Sequence, residues 1–307
     1  MRYPAGFISA FYNPLKNPDA PTIGTATIGF GSVSITFTAP SNVGGSAITG
    51  FIATARKTSD GTTISATGAS SPITVTGLSA DALTVTVAAV NTYGPSASSA
   101  ASNSVTPLPA IGAAFGGGFF AGQISTAGNS IADYNLVVGP VASAQNASVQ
   151  WKNANTATPN SNSLIDGPQN TADIVADGNS TVYPAAHFCN DLVIGGFSDW
   201  YMPAINELEV CYFNLKPTTQ FNDGASGINA NAVPARASNY TAGNPAQTSA
   251  ADFQSTGAED FAATTYWTST EGSTAAYTSL IYFTSGRATY GYKNATRSVR
   301  AIRRVAV

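Results

Sequence analysis

The 307-residue chain carries only 9% charged residues, 13 Lys and Arg against 16 Asp and Glu, for a net charge of -3. That balance excludes the overall electrostatic footprint of a nucleic-acid-binding protein, and no run of about 18 apolar residues exists to span a membrane. The length accommodates two domains with their own cores, while Ser, Thr, Asn, Ala and Gly must cover much of the surface, as suits an extracellular or virion protein with extensive subunit contacts.

Residues 1–19 place Tyr3, Phe7, Phe11 and Tyr12 among Pro4, Pro14 and Pro18, a spacing that fits neither helix nor regular strand. Such a segment cannot bury its aromatics alone. It is read as an extended arm whose aromatics dock into other virion proteins, with a strap over its own neighbouring domain as the other reading. Ala5 to Phe11 is too short, and lacks the small-x-small cleavage site, for a secretion signal. The segment is therefore taken as mature protein, and release by cell lysis as part of a virion is expected.

Residues 20–107 read as all-β. Val33, Ile35 and Phe37 alternate, as do Ile73 and Val75, and Val85 and Val87 before Val90, with Gly, Pro, Asn and Asp between the runs. The stretches Phe37 to Pro40, Gly44 to Phe51, Val75 to Leu78 and Val87 to Gly94 resemble a fibronectin type III module. Two departures matter. Phe37 stands where such modules carry a core Trp, and Leu83 stands where a corner Tyr is expected, so its hydroxyl bond is missing. No Arg-Gly-Asp occurs, and the module is read as a spacer.

Pro107-Leu108-Pro109 forms a stiff linker, and 110–307 is the second domain. Its Gly116-Gly117-Gly118 run lacks the Lys-Ser/Thr ending and following helix of a phosphate cradle, so close packing against a neighbouring chain is expected. Two short helices are predicted. Pro184 opens one, with Ala185, Phe188, Cys189 and Leu192 on an apolar face. Asn206 with Glu209 forms a capping box for the other, whose Leu208, Cys211, Tyr212 and Leu215 repeat the spacing until Lys216-Pro217 ends it. Both cysteines thus fall on apolar faces and are read as buried thiols, with a disulfide joining the two helices as the other reading. The segment from Pro217 to Phe261, rich in Asn, Ala, Gly and Ser, is a long connection of the functional or partner-held kind.

No catalytic constellation emerges, and the chain is read as a non-enzyme without cofactor or metal. His187 is the single histidine, and its two-residue separation from Cys189 turns the two side chains to different helix faces. No Gly-x-Ser-x-Gly elbow occurs. Glu207/Glu209 and Glu259/Asp260 are read as solvated acids, because glycosidase carboxylates must converge across a cleft.

Between Ala110 and Gly286 stand 13 acidic against 3 basic residues, whereas Arg287 to Val307 holds six basic residues and no acid. Arginines of a terminal strand are expected to pair with carboxylates of their own acidic domain. The blocks Gly195-Gly196-Phe197-Ser198-Asp199-Trp200 with Pro203 and Glu207-Leu208, Tyr266-Trp267-Thr268-Ser269-Thr270-Glu271, and Val299-Arg300-Ala301-Ile302-Arg303-Arg304-Val305 together resemble the C-type-lectin-like domain of phage tail-fibre and bacterial adhesin proteins. The resemblance implies a C-type-lectin-like fold after the fibronectin-like one, mainly β with a small α+β domain. It also implies that Trp200 and Trp267 belong to the core. No cysteine follows Cys211, which departs from the formylglycine-generating enzymes of that fold, and the calcium-dependent sugar-binding signatures are missing.

Tyr277, Ser279, Tyr282, Arg287, Tyr290, Tyr292 and Asn294 form the expected ligand-binding set. Tyrosine supplies large amphipathic area with few torsions to freeze, and small polar neighbours adapt their hydrogen bonds; in phage members of the resembled family the ligand-contacting residues lie in this terminal region. The expected function is a virion fibre or spike protein that presents its C-terminal domain to a host-surface protein or glycan. A virion decoration or connector without receptor binding is the alternative. A homo-oligomer is expected, a trimer by analogy with fibres.

Overall fold

The computed structural model describes residues 15–307. Tyr3, Phe7, Phe11 and Tyr12 of the expected docking arm lie outside them. The chain divides after Ala110 into two compact units.

The first unit is a fibronectin-like β domain of two sheets. Strands β1 (Thr22–Gly29), β2 (Ser32–Thr38) and β5 (Ile73–Thr76) form one, in the order β1-β2-β5. Strands β3 (Gly50–Lys57), β4 (Thr63–Gly68), β6 (Leu83–Asn91) and β7 (Gly94–Pro95) form the other, in the order β4-β3-β6-β7. Every second side chain of β6 is buried, from Leu83 through Val85 and Val87 to Ala89, facing Val33 and Ile35 of β2 in one core. Phe37 packs on Phe51 with ring centroids 4.7 Å apart. Leu83 is fixed by exchanging both backbone hydrogen bonds with Val105, which holds the chain where a tyrosine hydroxyl is missing. Lys16 donates its N–H to Gly44, and Asp19 to Asn42. The end of the segment expected as an arm is therefore part of the sandwich edge.

The second unit is α+β. Strands β8 (Ala114–Phe115), β9 (Gly118–Ile124), β10 (Tyr134–Val138), β12 (Ala232–Val233) and β17 (Ile302–Ala306) make one sheet, in which β10 pairs with β17 from Tyr134↔Ala306 to Val138↔Ile302. Strands β11 (Gln145–Gln150), β13 (Thr265–Glu271), β14 (Tyr277–Tyr282), β15 (Ala288–Tyr292) and β16 (Thr296–Arg300) make the other, in the order β11-β16-β13-β14-β15. Its helices are a single turn, α1 (Val141–Ala144), then α2 (Gly167–Asp177), α3 (Pro184–Asn190) and α4 (Ile205–Leu215). Two cores result, one around Leu208, Tyr212, Phe261, Phe283 and Ile302, the other around Trp151, Tyr183, Trp200 and Trp267.

Three expectations change. Helix α2 joins the two predicted helices; Asp166 caps it by accepting the N–H of Gln169, and Pro168 sits in its first turn. Helix α4 begins two residues earlier than the Asn206/Glu209 box implied. Ala204 is its N-cap, and Glu207 reaches back to the Ala204 N–H at 2.8 Å. The glycine run packs within its own unit, because a Cβ at Gly118 would lie 2.2 Å from the Val138 carbonyl oxygen.

The polar segment from Pro217 to Phe261 is held by buried groups. Glu209 accepts from Asn229 Nδ2, Arg236 Nη2 and the Tyr240 hydroxyl. Lys216 Nζ donates to the carbonyls of Gln220 and Pro245, and Asn222 accepts from the Tyr212 hydroxyl at 2.6 Å. Glu209, expected to be solvated, is consumed in this network.

Candidate binding surface

The three sequence blocks interlock into a scaffold. Arg303 grips Asp199 through Nε and Nη2 at 2.7 and 2.9 Å and lies 3.8 Å from the Phe197 ring centroid; its guanidinium holds the Asp199 carboxyl below the usual range. Arg304 donates to Glu207 at 2.8 Å, and Glu207 also accepts the Tyr201 hydroxyl and the Gly167 N–H. Burial pushes the Glu207 carboxyl up despite the Arg304 charge beside it. Arg300 pairs with Glu259 at 2.8 Å and also binds the Glu259 and Asp260 carbonyls. Lys293 pairs with Glu271. The acids 199, 207, 259 and 271 are thus neutralised internally by the terminal basic cluster, as the charge distribution predicted. Glu207 and Glu259 are inside the domain rather than solvated.

Strand β13 is buried throughout from Thr265 to Thr270. Trp267 Nε1 donates to the Val149 carbonyl and Trp151 Nε1 to the Thr268 carbonyl, which makes both tryptophans core. Cys189 and Cys211 are free and buried, with their thiol pKa values raised by burial. His187 bonds the Gly178 carbonyl at 2.8 Å.

What this scaffold presents is the β14–β15 hairpin. Its turn requires glycine at 286, where φ is +72° and a Cβ would lie 2.2 Å from the Tyr212 ring. The register pairs Tyr277 with Tyr292, Ser279 with Tyr290 and Ile281 with Ala288. Alternation therefore puts Tyr277, Tyr290 and Tyr292 on one face and Tyr282 on the other. Tyr277 and Tyr292 stack at 4.6 Å with ring planes 32° apart. Tyr290 and Tyr292 are 57% and 52% exposed.

Beside Tyr290 lies a depression of about 130 Å³ lined by Leu164, Ile205, Ser279, Ala288 and Thr289. Leu164 is 55% exposed, yet its backbone is fixed. Its carbonyl accepts the Asn206 N–H, and the preceding Ser163 carbonyl accepts from Asn170 Nδ2 and Thr270 Oγ1. An apolar side chain is thereby carried toward solvent on a backbone with little freedom left to lose on binding.

The expected ligand set divides accordingly. Tyr277, Tyr290 and Tyr292 converge, and Asn294 follows in the exposed turn after β15. Ser279 is only 6% exposed and lies at the floor. Tyr282 belongs to a separate open cleft of about 550 Å³ on the opposite face, with Thr265, Thr284, Thr296 and Arg297. Arg287 is exposed at the hairpin turn and, among the described residues, makes no ion pair. Sequence reasoning missed Leu164, which with Ile165 makes a two-residue apolar step in a polar stretch, with no periodicity to mark it.

Residues 141–303, which contain α1 to α4, the first two motif blocks and the third as far as Arg303, match the model of the Lcl C-terminal domain family. The chain belongs to the Lcl C-terminal domain family. This family region begins at α1 and ends within β17, so it holds the hairpin together with Arg300 and Arg303. No curated protein matches the sequence. Solved structures similar to the chain include titin module A71 from human cardiac muscle, at 26% identity over 30% of this chain and 91% of that one, with a TM-score of 0.26. The FN5 domain of Drosophila Lar is 22% identical over 30% of this chain and 97% of that one, with a TM-score of 0.25. The chain spans 17% of a structure of titin kinase with its flanking domains and 32% of titin domains A168–A170, each at 25% identity with a TM-score of 0.28.

Proposed function

We propose that this protein is a virion fibre or spike component that presents its Lcl-type C-terminal domain for attachment to a host-surface receptor, by binding and not by catalysis. The observation that carries the reading is the cluster of Tyr277, Tyr290, Tyr292 and Leu164 on a domain whose three tryptophans and most charges are consumed internally. Rigid tyrosines with a fixed aliphatic neighbour are the composition of a binding hot spot. The low charge content and the fibronectin-like spacer support a particle-borne role, reached through residues 1–19 and assembled as a homo-oligomer. A decoration protein without receptor contact is the competing reading, favoured by the same low charge.

The faces of the hairpin separate the two. Replacing Tyr290 and Tyr292 with alanine should leave the domain folded and weaken host adsorption by about tenfold or more, the effect of losing even one hot spot. Replacing Tyr282, on the opposite face, should not. Normal adsorption by a folded Tyr290→Ala/Tyr292→Ala double variant leaves the decoration reading standing instead.

A further inference from the structure

Of the three buried lysines of the second unit, Lys152 and Lys293 direct their ammonium groups at one loop. Lys293, fully buried, leaves the β15–β16 turn and donates from Nζ to the Thr156 carbonyl at 2.9 Å and to the Glu271 carboxylate, 4.8 Å from the Trp151 ring centroid. Lys152, also buried, donates to the Ala157 carbonyl at 2.7 Å and lies 4.8 Å from the Tyr183 ring centroid. Both approach Thr158 Oγ1, at 3.5 and 3.4 Å. The Thr158 N–H in turn donates to Glu271 at 2.8 Å, and its hydroxyl lies 3.1 Å from the Tyr183 hydroxyl, itself bonded to Asp177.

Two carbonyls, a hydroxyl shared by both ammonium groups and a carboxylate are the kinds of oxygen donor that usually hold a hard metal cation. Here the cations are covalently part of the chain. The loop they hold touches the candidate surface. Asn155 Oδ1 accepts the Asn294 N–H at 3.1 Å, and the Lys293 carbonyl accepts the N–H groups of Trp151 and Lys152. Tyr292, stacked on Tyr277, is the residue immediately before Lys293.

We propose that Lys293 and Lys152 act as an internal cation pair that positions the binding surface: they fasten loop 152–158 to the β15–β16 turn, fix Tyr292 and Asn294, and make the order of this surface independent of added metal. Two carboxylates, Glu271 and the more distant Asp177, face two ammonium groups, so the cluster carries no surplus of positive charge to attract an anion. Its role is to place neighbours and not to touch the ligand. The aromatic faces and the loop carbonyls replace the water that each ammonium gives up on burial.

Hydrogen exchange on the full chain tests the pairing. Lys293→Met keeps the aliphatic stem and removes the charge. Protection should fall at least tenfold at the amides of Trp151, Lys152, Thr158 and Asn294 and stay unchanged in β9 and β10. In Lys293→Ala, adding ethylammonium should restore protection at those amides, because the free cation can occupy the vacated oxygen cage; adding calcium chelator to the unaltered chain should change nothing. Unchanged protection in Lys293→Met, an equal loss across the whole unit, or no rescue by ethylammonium would each overturn the proposal. The consequence for attachment rests on the proposed function and is read separately. Local loosening with normal adsorption would uphold the cation pair while removing the hairpin from receptor binding.

Discussion

Asp199 and Glu207 show how the same type of residue is put to use in two environments. Asp199 is half-exposed and held ionised by the bidentate Arg303. Its folded pKa lies below the unfolded one, so its contribution is present above the ordinary value of 3.8 and is lost as the pH falls through the folded value. Glu207 is buried and its pKa is raised above 4.5, so in the window above that value the folded chain takes up the proton first and this carboxyl favours folding as the pH falls. A whole-protein acid profile sums both, whereas a difference isolates one. We expect the melting temperature of Asp199→Asn to lie below that of the unaltered protein near neutral pH, with the gap closing below pH 3.8. A gap that persists in strong acid would mean that the Arg303 pair acts through packing on Phe197 instead. The pairing of the terminal arginines with domain acids was legible from charge distribution alone. The particular partners were not, because Asp199, Glu207 and Glu259 are brought to the last strands only by the folded sheet.

At the scale of elements, legibility followed the chemistry of the buried face. Helices α3 and α4 bury Ala185, Cys189, Leu208, Cys211 and Leu215, and apolar periodicity finds them. Helix α2 buries Asn170, Thr171 and Ile174, and a search for apolar residues passes over a face whose contacts are hydrogen bonds. Asn170 joins Ser163, through both its N–H and its carbonyl, to Ser269, while Thr171 Oγ1 bonds both polar backbone groups of Met202. Such a network penalises removal of one partner more than its presence stabilises. Asn170→Leu is therefore expected to destabilise the second unit by about 2 kcal/mol in urea denaturation, within the roughly 1–3 kcal/mol cost of stranding buried polar groups. A neutral or stabilising result would show that Ser163 finds other partners. The same substitution should also free Leu164, because the Ser163 anchor beside it is lost. The hairpin tyrosines were legible as a composition, but their division between two faces was not: it depends on the register Tyr277↔Tyr292, which no local signal in the sequence sets.

At the scale of the molecule, each unit has its own core, and the chain between them carries Pro107 and Pro109. Residues 20–107 expressed alone should give a cooperative β-sheet unfolding transition by circular dichroism; a disordered fragment would place the residues needed for folding outside that range. The sandwich was the most legible part of the chain, since Val33, Ile35, Val85 and Val87 alternate strictly and each is buried. The long connection from Pro217 was least legible, because Glu209, Lys216 and Asn222 order it through partners 19 to 29 residues away in sequence. The central claim is that the Tyr277, Tyr290, Tyr292 and Leu164 surface engages a host receptor. It is tested most directly by adding the purified full chain to host cells before the particle that carries it. The account predicts saturable binding of the chain and a matching block of particle adsorption, both lost in Tyr290→Ala/Tyr292→Ala and both kept in Tyr282→Ala. Saturating protein that leaves adsorption untouched, or a double variant that blocks as well as the unaltered chain, would contradict it.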